Sequence, residues 1–511
     1  MAHLDTAPSD AAITGTGTST SGAATDYRAS EHHEFLTASR QALHSANLQL
    51  ALARLGDTLG QKNRDAYAAY PGSSAMRELA RGIKDRTLAE LDRHLETLEA
   101  SVNRNGGEVH FAADAADARE IVLSILRSRG CRSVVKSKSM TTEEIHLNPA
   151  LVAADIDTIE SDFGEYIIQL AGQRPSHLVA PAVHMTVGEV AEVLSRHSPE
   201  PLPADATALA QFARRQLRAK FATADAGITG GNFAVAETGT VVVVENEGNA
   251  RFTTTLPRIH IAIVGIEKVI PRLADLPVFL KILARAATGQ TMSIYTSLLS
   301  GPRRPGQVNG PEEFHLVLLD NGRTRILEGP LRESLFCIRC GACLNACPVY
   351  RAVGGHAYGG VYAGPIGAVL TPLYDGLTAN EHLPHASSLC GACQAACPVK
   401  IAIPELLIKL RDKLHEAQAA QHEQSRLENF AYRAWGWLMR KPLRYRMATW
   451  LASRTVGRSQ AGSRWLRRMP GALGGWTSSR DFPAPARERF RDWWRKEGHE
   501  EQREAGREAR Q

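Results

Sequence analysis

No stretch of this 511-residue chain is apolar enough to span a bilayer. Its longest purely aliphatic run is Val241–Val244, strand length against the roughly 18–20 residues a spanning helix needs. The N-terminus (MAHLDTAPSDAAITGTGTST) lacks a basic stretch followed by an apolar one, which argues against a secretory leader. H-E-x-x-H, G-x-S-x-G, the phosphate-binding P-loop and the dinucleotide fingerprint are all missing, so the common signatures of zinc proteases, serine hydrolases, nucleotide hydrolases and nicotinamide enzymes do not apply. Aromatics are sparse at 6%, and all seven tryptophans fall between Trp435 and Trp494. Cysteines are few, eight in all, but seven of them crowd between Cys337 and Cys397. A disulfide framework would spread them out. Clustering in a chain with no export signal points instead to a reducing compartment and metal ligation, with the cytoplasm as the default.

The remaining composition is that of a globular protein, with 43% hydrophobic residues. Charge is uneven. From Arg426 to Gln511 there are 20 Lys and Arg against 9 Asp and Glu, so the net +6 belongs to the tail and the rest of the chain is slightly acidic. Residues 1–29, rich in Thr, Ser, Ala and Gly, are expected to form a disordered leader. From 30 to 330 the pattern predicts a helical segment followed by an α/β domain. Leu48 to Leu55 and Leu88, Leu91, Leu95 and Leu98 have helical spacing, broken at Pro71-Gly72. Strand-like runs at Glu108–Phe111, Ser133–Lys136, Asp155–Ile159, His177–Ala180, Thr240–Glu245 and His260–Val264 then alternate with helical ones, as in a largely parallel sheet. Thr141 and Glu144 have capping-box spacing. Residues 331–415 follow a Cys, Gly and Pro logic, with Pro404 opening a helix, and 416–511 form a Trp/Arg-rich extension.

The first cysteine run is C-x2-C-x2-C-x3-C-P, with Cys337, Cys340, Cys343, Cys347 and Pro348. Two-residue spacers on a tight loop turn three sulfurs toward one cluster, and the fourth Cys ligates the other cluster in two-cluster ferredoxins. The second run is Cys390, Cys393, Cys397 and Pro398, with Ser387 at the first-ligand position. Crossed ligation therefore predicts one [4Fe–4S] cluster on Cys337, Cys340, Cys343 and Cys397. A second cluster on Cys347, Cys390 and Cys393 would be [4Fe–4S] or [3Fe–4S]. Its fourth position is left to Ser387, Ser388 or His385, to a three-iron core or to an open iron. Structural zinc is the alternative, but zinc sites favour two separated pairs over a repeated triplet. Cys131 stands alone and reads as a buried apolar residue.

Other candidates are weaker. Gly227 to Gly239, which includes Gly230, Gly231, Asn232 and Glu237, could cradle an anion or simply turn the chain. Lys136, Lys138 and Ser139 sit between a strand and a helix, where an acidic ligand or solvent would suit them. His356, His382 and His385 read as loop histidines. Residues 431–468 carry ten Lys and Arg, no acidic residue, and Trp435, Trp437, Trp450 and Trp465. That pattern suits an anionic membrane face or an acidic partner protein. Nothing else in the chain supports nucleic acid.

Several long segments, GEVHFAADA, VVKSKSMTTEEIHLN, GEYIIQLAG, ADAGITGGNFAVAETGTVVVVENEGNARF and GGHAYGGVYAGPIGAVLTP, together with both cysteine runs, resemble the lactate-utilisation iron–sulfur proteins. These are the B component of a bacterial three-protein L-lactate oxidation system. The resemblance covers about residues 60–480. It implies a LUD domain of NagB/RpiA/CoA-transferase-like α/β fold, an α-helical ferredoxin-like domain and a helical basic C-terminal extension. It further implies electron transport during oxidation of L-lactate to pyruvate, supporting growth on lactate. The implied partners are the other lactate-utilisation subunits and an electron acceptor of unknown identity, with peripheral contact on the inner membrane face through 431–468 as a further expectation. A second reading makes the chain itself an enzyme that binds a 2-hydroxy acid near Lys138 and Glu237. A third makes it a zinc-stabilised binding protein.

Overall fold

The computed structural model describes residues 35–420 and, beyond them, 426–459, 465–469, 474–475, 477, 480–486 and 488–498. The expected leader at 1–29 lies outside the described residues.

Five α-helices between Phe35 and Arg104 come first, joined in part by a π-helical turn at Gly56–Gly60. Their apolar faces bury Leu52, Leu55, Ala80, Ile83, Leu88, Leu91, Leu98 and Val102. Ten strands follow: β1 (Glu108–Ala112), β2 (Ser133–Lys136), β3 (Asp157–Glu160), β4 (Ala226–Gly230), β5 (Phe233–Val235), β6 (Thr240–Glu245), β7 (Ile259–Gly265), β8 (Val269–Ile270), β9 (Tyr295–Leu299) and β10 (Glu313–Leu319). Six of them make a wholly parallel sheet in the order β1-β10-β7-β4-β2-β3. The other four form a second sheet in the order β8-β5-β6-β9. Parallel strands are covered on both faces and read as continuous apolar runs. The buried β7 (IHIAIVG) and β10 (EFHLVLL) do so.

One face of the parallel sheet packs Ile259, Ile261, Ile263 and Val317 against helices Ala115–Ser128 and Leu147–Ala153. The opposite face belongs to a larger core shared by the small sheet, the N-terminal helices and the cysteine region, including Cys337, Cys340, Cys343, Cys347, Cys393 and Cys397. The cysteine region is thus built onto the α/β layer.

Two expected elements differ. His177–Ala180 is a loop, because the His177 ring accepts the Val179 and Ala180 N–H groups that a strand would send to a neighbour. Thr141 does not cap its helix. Ser139 does, accepting from the Thr142 N–H, while Glu144 points into a buried ion-pair network. A full capping box does form at Thr186 and Glu189.

Residues Ala417–Gln511 form a second compact unit. Within it lie helices Arg426–Met439 and Pro442–Ser459, and a two-residue antiparallel pairing of Trp465–Leu466 with Phe482–Pro483. No helix among the described residues is long and apolar enough to cross a membrane.

Candidate metal centre

The two cysteine runs repeat in conformation as well as in sequence. Arg339 and Leu389, each one residue before the second cysteine of the motif, have φ of 59° and 54°. Gly341 and Gly391, each just after it, have 76° and 81°. An αL-Cys-αL turn of this kind bends the chain tightly enough for neighbouring thiols to converge. Leu and Arg pay for that conformation in strain, the kind of cost that concentrates at functional sites. Each turn leads into a short helix, Ala342–Ala346 or Ala392–Ala396, and the two helices pack together. Cys347 and Cys397 then return to extended backbone before a proline.

Packing of those helices gathers the thiols into two groups. Cys337, Cys340, Cys343 and Cys397 line one small cavity, otherwise walled by apolar groups such as Leu178, Ile338, Ile366 and Val399. All seven cysteines are free thiols. Burial first, with a further contribution from neighbouring thiols, pushes five of them up, Cys397 to about 11 and Cys393 to about 12. Those repulsions largely divide the set, with Cys393 acting across it on Cys343. Cys340 is raised by Cys397 and Cys337, whereas Cys393 is raised by Cys347 and Cys390, and Cys347 by Cys390. Cys390 differs: it is exposed, and the Ala392 N–H with the Ser388 hydroxyl hold it below the ordinary thiol value. Backbone N–H groups of Arg339, Tyr350 and Ile401 donate to the sulfurs of Cys337, Cys347 and Cys397 at 3.4, 3.5 and 3.4 Å. Buried thiolates crowded together repel one another unless bound cations neutralise them, and N–H donors to sulfur suit thiolate better than thiol. The donor set therefore fits a thiolate-bound metal cluster.

Supports from outside the runs were not signalled by the sequence. Arg77, on helix Ser73–Ala89, donates to the Cys397 carbonyl at 3.1 and 2.6 Å and to the Ala395 carbonyl at 2.7 Å. Arg81 on the same helix donates to the Lys400 carbonyl at 2.6 Å. His177 Nε2 lies 3.1 Å from Asn345 Oδ1, and the Tyr350 hydroxyl donates to the Ser176 carbonyl at 2.7 Å. Tyr358 is buried with no partner for its hydroxyl, and thiols of both groups, Cys347, Cys343 and Cys393, raise its pKa after burial itself.

The weaker candidates separate. Lys136 is fully buried and paired with Glu160 at 2.7 Å and Glu143 at 3.3 Å, which makes it structural. Lys138 and Ser139 line a larger cavity together with Gly230, Gly231 and Asn232. Glu237 is not among its lining residues. Its carboxylate accepts the Leu273 N–H instead, so Lys138 and Glu237 do not form one site. Ser387 accepts the Leu389 N–H, and His356 Nε2 lies 2.7 Å from the Arg174 carbonyl oxygen. Cys131 is buried, as expected.

A parallel α/β layer fused to a paired, Pro-terminated cysteine repeat defines the class: an iron–sulfur protein with an α/β companion domain. Comparison with known proteins agrees. Residues 95–319 match the LUD domain, 333–401 the 4Fe-4S dicluster domain, and 409–499 the C-terminal part of lactate utilisation protein B. Lactate utilization protein B of Anoxybacillus flavithermus is 41% identical over 91% of this chain and 98% of its own length. The protein of that name from Shouchella clausii is 45% identical over 82% and 87%. Among solved structures, a duf162 family protein from Deinococcus radiodurans covers 45% of this chain and 98% of its own, with a TM-score of 0.27 and 15% identity. The chain belongs to the lactate utilisation protein B family.

Proposed function

We propose that this protein is the iron–sulfur electron-transfer component of an L-lactate oxidation system that yields pyruvate and supports growth on lactate. The carrying observation is the division of seven thiols into a buried group of four in one cavity and a second group of three that reaches the surface at Cys390. Cys337, Cys340, Cys343 and Cys397 would hold a [4Fe–4S] cluster. Cys347, Cys390 and Cys393 would hold the second, as [4Fe–4S] or [3Fe–4S]. Bound clusters supply one-electron carriage between a dehydrogenating partner and an acceptor, at potentials set by burial and by N–H donors to sulfur.

The chain's own contribution is positional. Apolar walls keep water from the first group, and Arg77 holds the backbone on which Cys397 must meet a distant loop. Exposed Cys390 puts the second group where a partner subunit or acceptor can approach. The exposed Trp435, Trp437, Trp450 and Trp465, with the Arg444 guanidinium 3.8 Å from the centre of the Trp437 ring, support reading 431–468 as a docking face for a partner or for anionic membrane. A cytoplasmic location follows from this reading.

Mixing the anaerobic protein with the other lactate-utilisation subunits and L-lactate should bleach its visible absorption, whereas L-lactate without them should not. A mixture that oxidises lactate while this chain stays oxidised would refute the role.

A further inference from the structure

The sheet order reverses at β2 and β4. The chain moves outward from β2 to β3, then returns to lay β4 on the other side of β2. Ligands of open α/β sheets bind in the crevice beyond the carboxyl ends of strands at such a point. A cavity of about 280 Å³ lies there, lined by Lys138 after β2 and by Gly230 and Asn232 at and after β4. Its size is at the small end for ligand sites, which suits a small metabolite better than a dinucleotide. Cys340 and Leu178 line this cavity and also the one shared by the four thiols, so the two adjoin.

The charges in the cavity are unequally satisfied. Its carboxylates are engaged by the protein: Asp162 accepts the Glu165 N–H at 3.1 Å, Glu245 the Ala250 and Arg251 N–H groups at 2.9 Å each, and Glu247 the Phe163 N–H at 3.1 Å. Burial also pushes Glu245 and Glu247 up toward their neutral forms. Lys138 and Arg339 are only partly satisfied, by long ion pairs to Glu165 and Glu267 and by the Tyr362 ring under Arg339. Lys138 Nζ is buried with no hydrogen-bond partner, and a Glu165 carboxylate oxygen lies 3.7 Å away. Arg339 also lines the cavity. Its side chain is 8% exposed, its Nη1 is buried without a partner, and its Nη2 makes only long contacts, to Glu267 at 3.4 Å and the Tyr374 hydroxyl at 3.3 Å. A buried donor left unmade costs about 1–3 kcal/mol, more when charged. An anion bridging the two would remove that cost.

Phosphate is disfavoured, because the helix starts around the cavity are already capped by Ser139, Asp162 and Glu245 and offer no open cradle of N–H groups. A planar carboxylate matches a guanidinium edge and an ammonium. Asn232, its Oδ1 taken by the Val244 N–H, retains an amide NH2 for an oxygen on the adjacent carbon. We propose that this cavity binds a small monocarboxylate of the 2-hydroxy or 2-oxo acid class, next to the Cys337–Cys343 loop. The site stands on these residues and rests on the electron-transfer reading only for what lies beside it.

Equilibrium dialysis of full-length, anaerobically purified protein against labelled L-lactate and pyruvate tests this, with iron content measured on the same samples. Both acids should bind, propionate should bind more weakly, and excess phosphate should not compete. Lys138→Met should weaken binding on the order of tenfold or more at unchanged iron content, as expected for one lost charge-assisted hydrogen bond. Asn232→Ala should erase the preference for lactate over propionate, a readout that does not depend on Lys138. Ligand should also perturb the EPR signal of the reduced buried cluster. Absence of binding to iron-replete protein, equal competition by phosphate, or unchanged affinity in Lys138→Met would overturn the site while leaving the electron-transfer role standing. Iron-free protein that still binds pyruvate would do the reverse.

Discussion

Arg323→Met is the perturbation whose cost the structure defines best. Arg323 is 1% exposed and forks onto both oxygens of Glu144, at 2.8 and 2.9 Å, while its Nε donates to Glu267. Glu144 also accepts from the Tyr362 hydroxyl at 2.6 Å and from the Asn321 amide at 2.8 Å, and Arg323 lies 4.8 Å from the centre of the Tyr374 ring. The network therefore ties the α/β layer to the segment between the cysteine runs. Burial pushes Glu267 up, yet Arg323 and Arg339 outweigh it and hold that carboxyl at about 2. Methionine would fill most of the volume, leave buried Glu144 without its counter-ion and leave Glu267 with its longer pair to Arg339. Breaking one side of a buried pair costs about 3–5 kcal/mol. The sign of the pH dependence follows. With the guanidinium gone, burial raises the folded Glu144 carboxyl above its unfolded value, so the folded state binds more protons and the variant regains stability as pH falls from 7 toward 5. Adding Glu144→Gln to Arg323→Met should recover part of the loss at pH 7. Anaerobic urea unfolding followed by far-ultraviolet circular dichroism measures this. A deficit under about 1 kcal/mol, the range of an exposed pair, or one that grows on mild acidification, would refute the reasoning.

Other outcomes follow from the same contacts. Burial, then Lys138, push His177 down to about 3, and burial pushes His260 to about 3 as well. Only the unfolded chain takes up those protons below about 6.5, so stability should fall with pH by at most about 1.4 kcal/mol per pH unit for each histidine. His177→Asn should flatten that slope between pH 7 and 5.5, and an unchanged slope would contradict it. Cys347→Ser should alter the EPR spectrum of the second cluster and largely spare the first, and Cys397→Ser should do the opposite. Equal loss of both clusters in either variant would contradict crossed ligation. Replacing Trp437 and Arg444 together by alanine should weaken association with the partner subunits or with anionic vesicles in a salt-dependent manner. Unchanged association with both would remove 431–468 as the docking face.

Much of the site was legible because its determinants are local. Thiol spacing and a following proline are read directly from sequence, and the αL turns at Arg339–Gly341 and Leu389–Gly391 repeat because the residues around them repeat. Four of the six parallel strands were legible for a similar reason, β7 most clearly through its apolar run, whereas β4 and β10 drew no expectation although both are buried. What escaped was set by distant partners. Arg77, Arg81 and His177 reach the cysteine segment from well over a hundred residues away, and nothing in their local pattern marks them. The His177–Ala180 run has strand-like composition, yet a side chain takes its N–H groups. Thr141 and Glu144 have capping-box spacing, yet Arg323 draws Glu144 inward and Ser139 takes the cap. Lys136 and Lys138 look equivalent in sequence. One side of the sheet end provides Lys136 with two glutamates, and the other leaves Lys138 facing a cavity.

Iron and acid-labile sulfide analysis of protein purified without oxygen tests the central claim most directly. Two cuboidal clusters would give about seven or eight irons per chain with a similar amount of sulfide, and a brown colour that bleaches on reduction. Colourless protein, or zinc in place of iron and sulfide, would contradict the account.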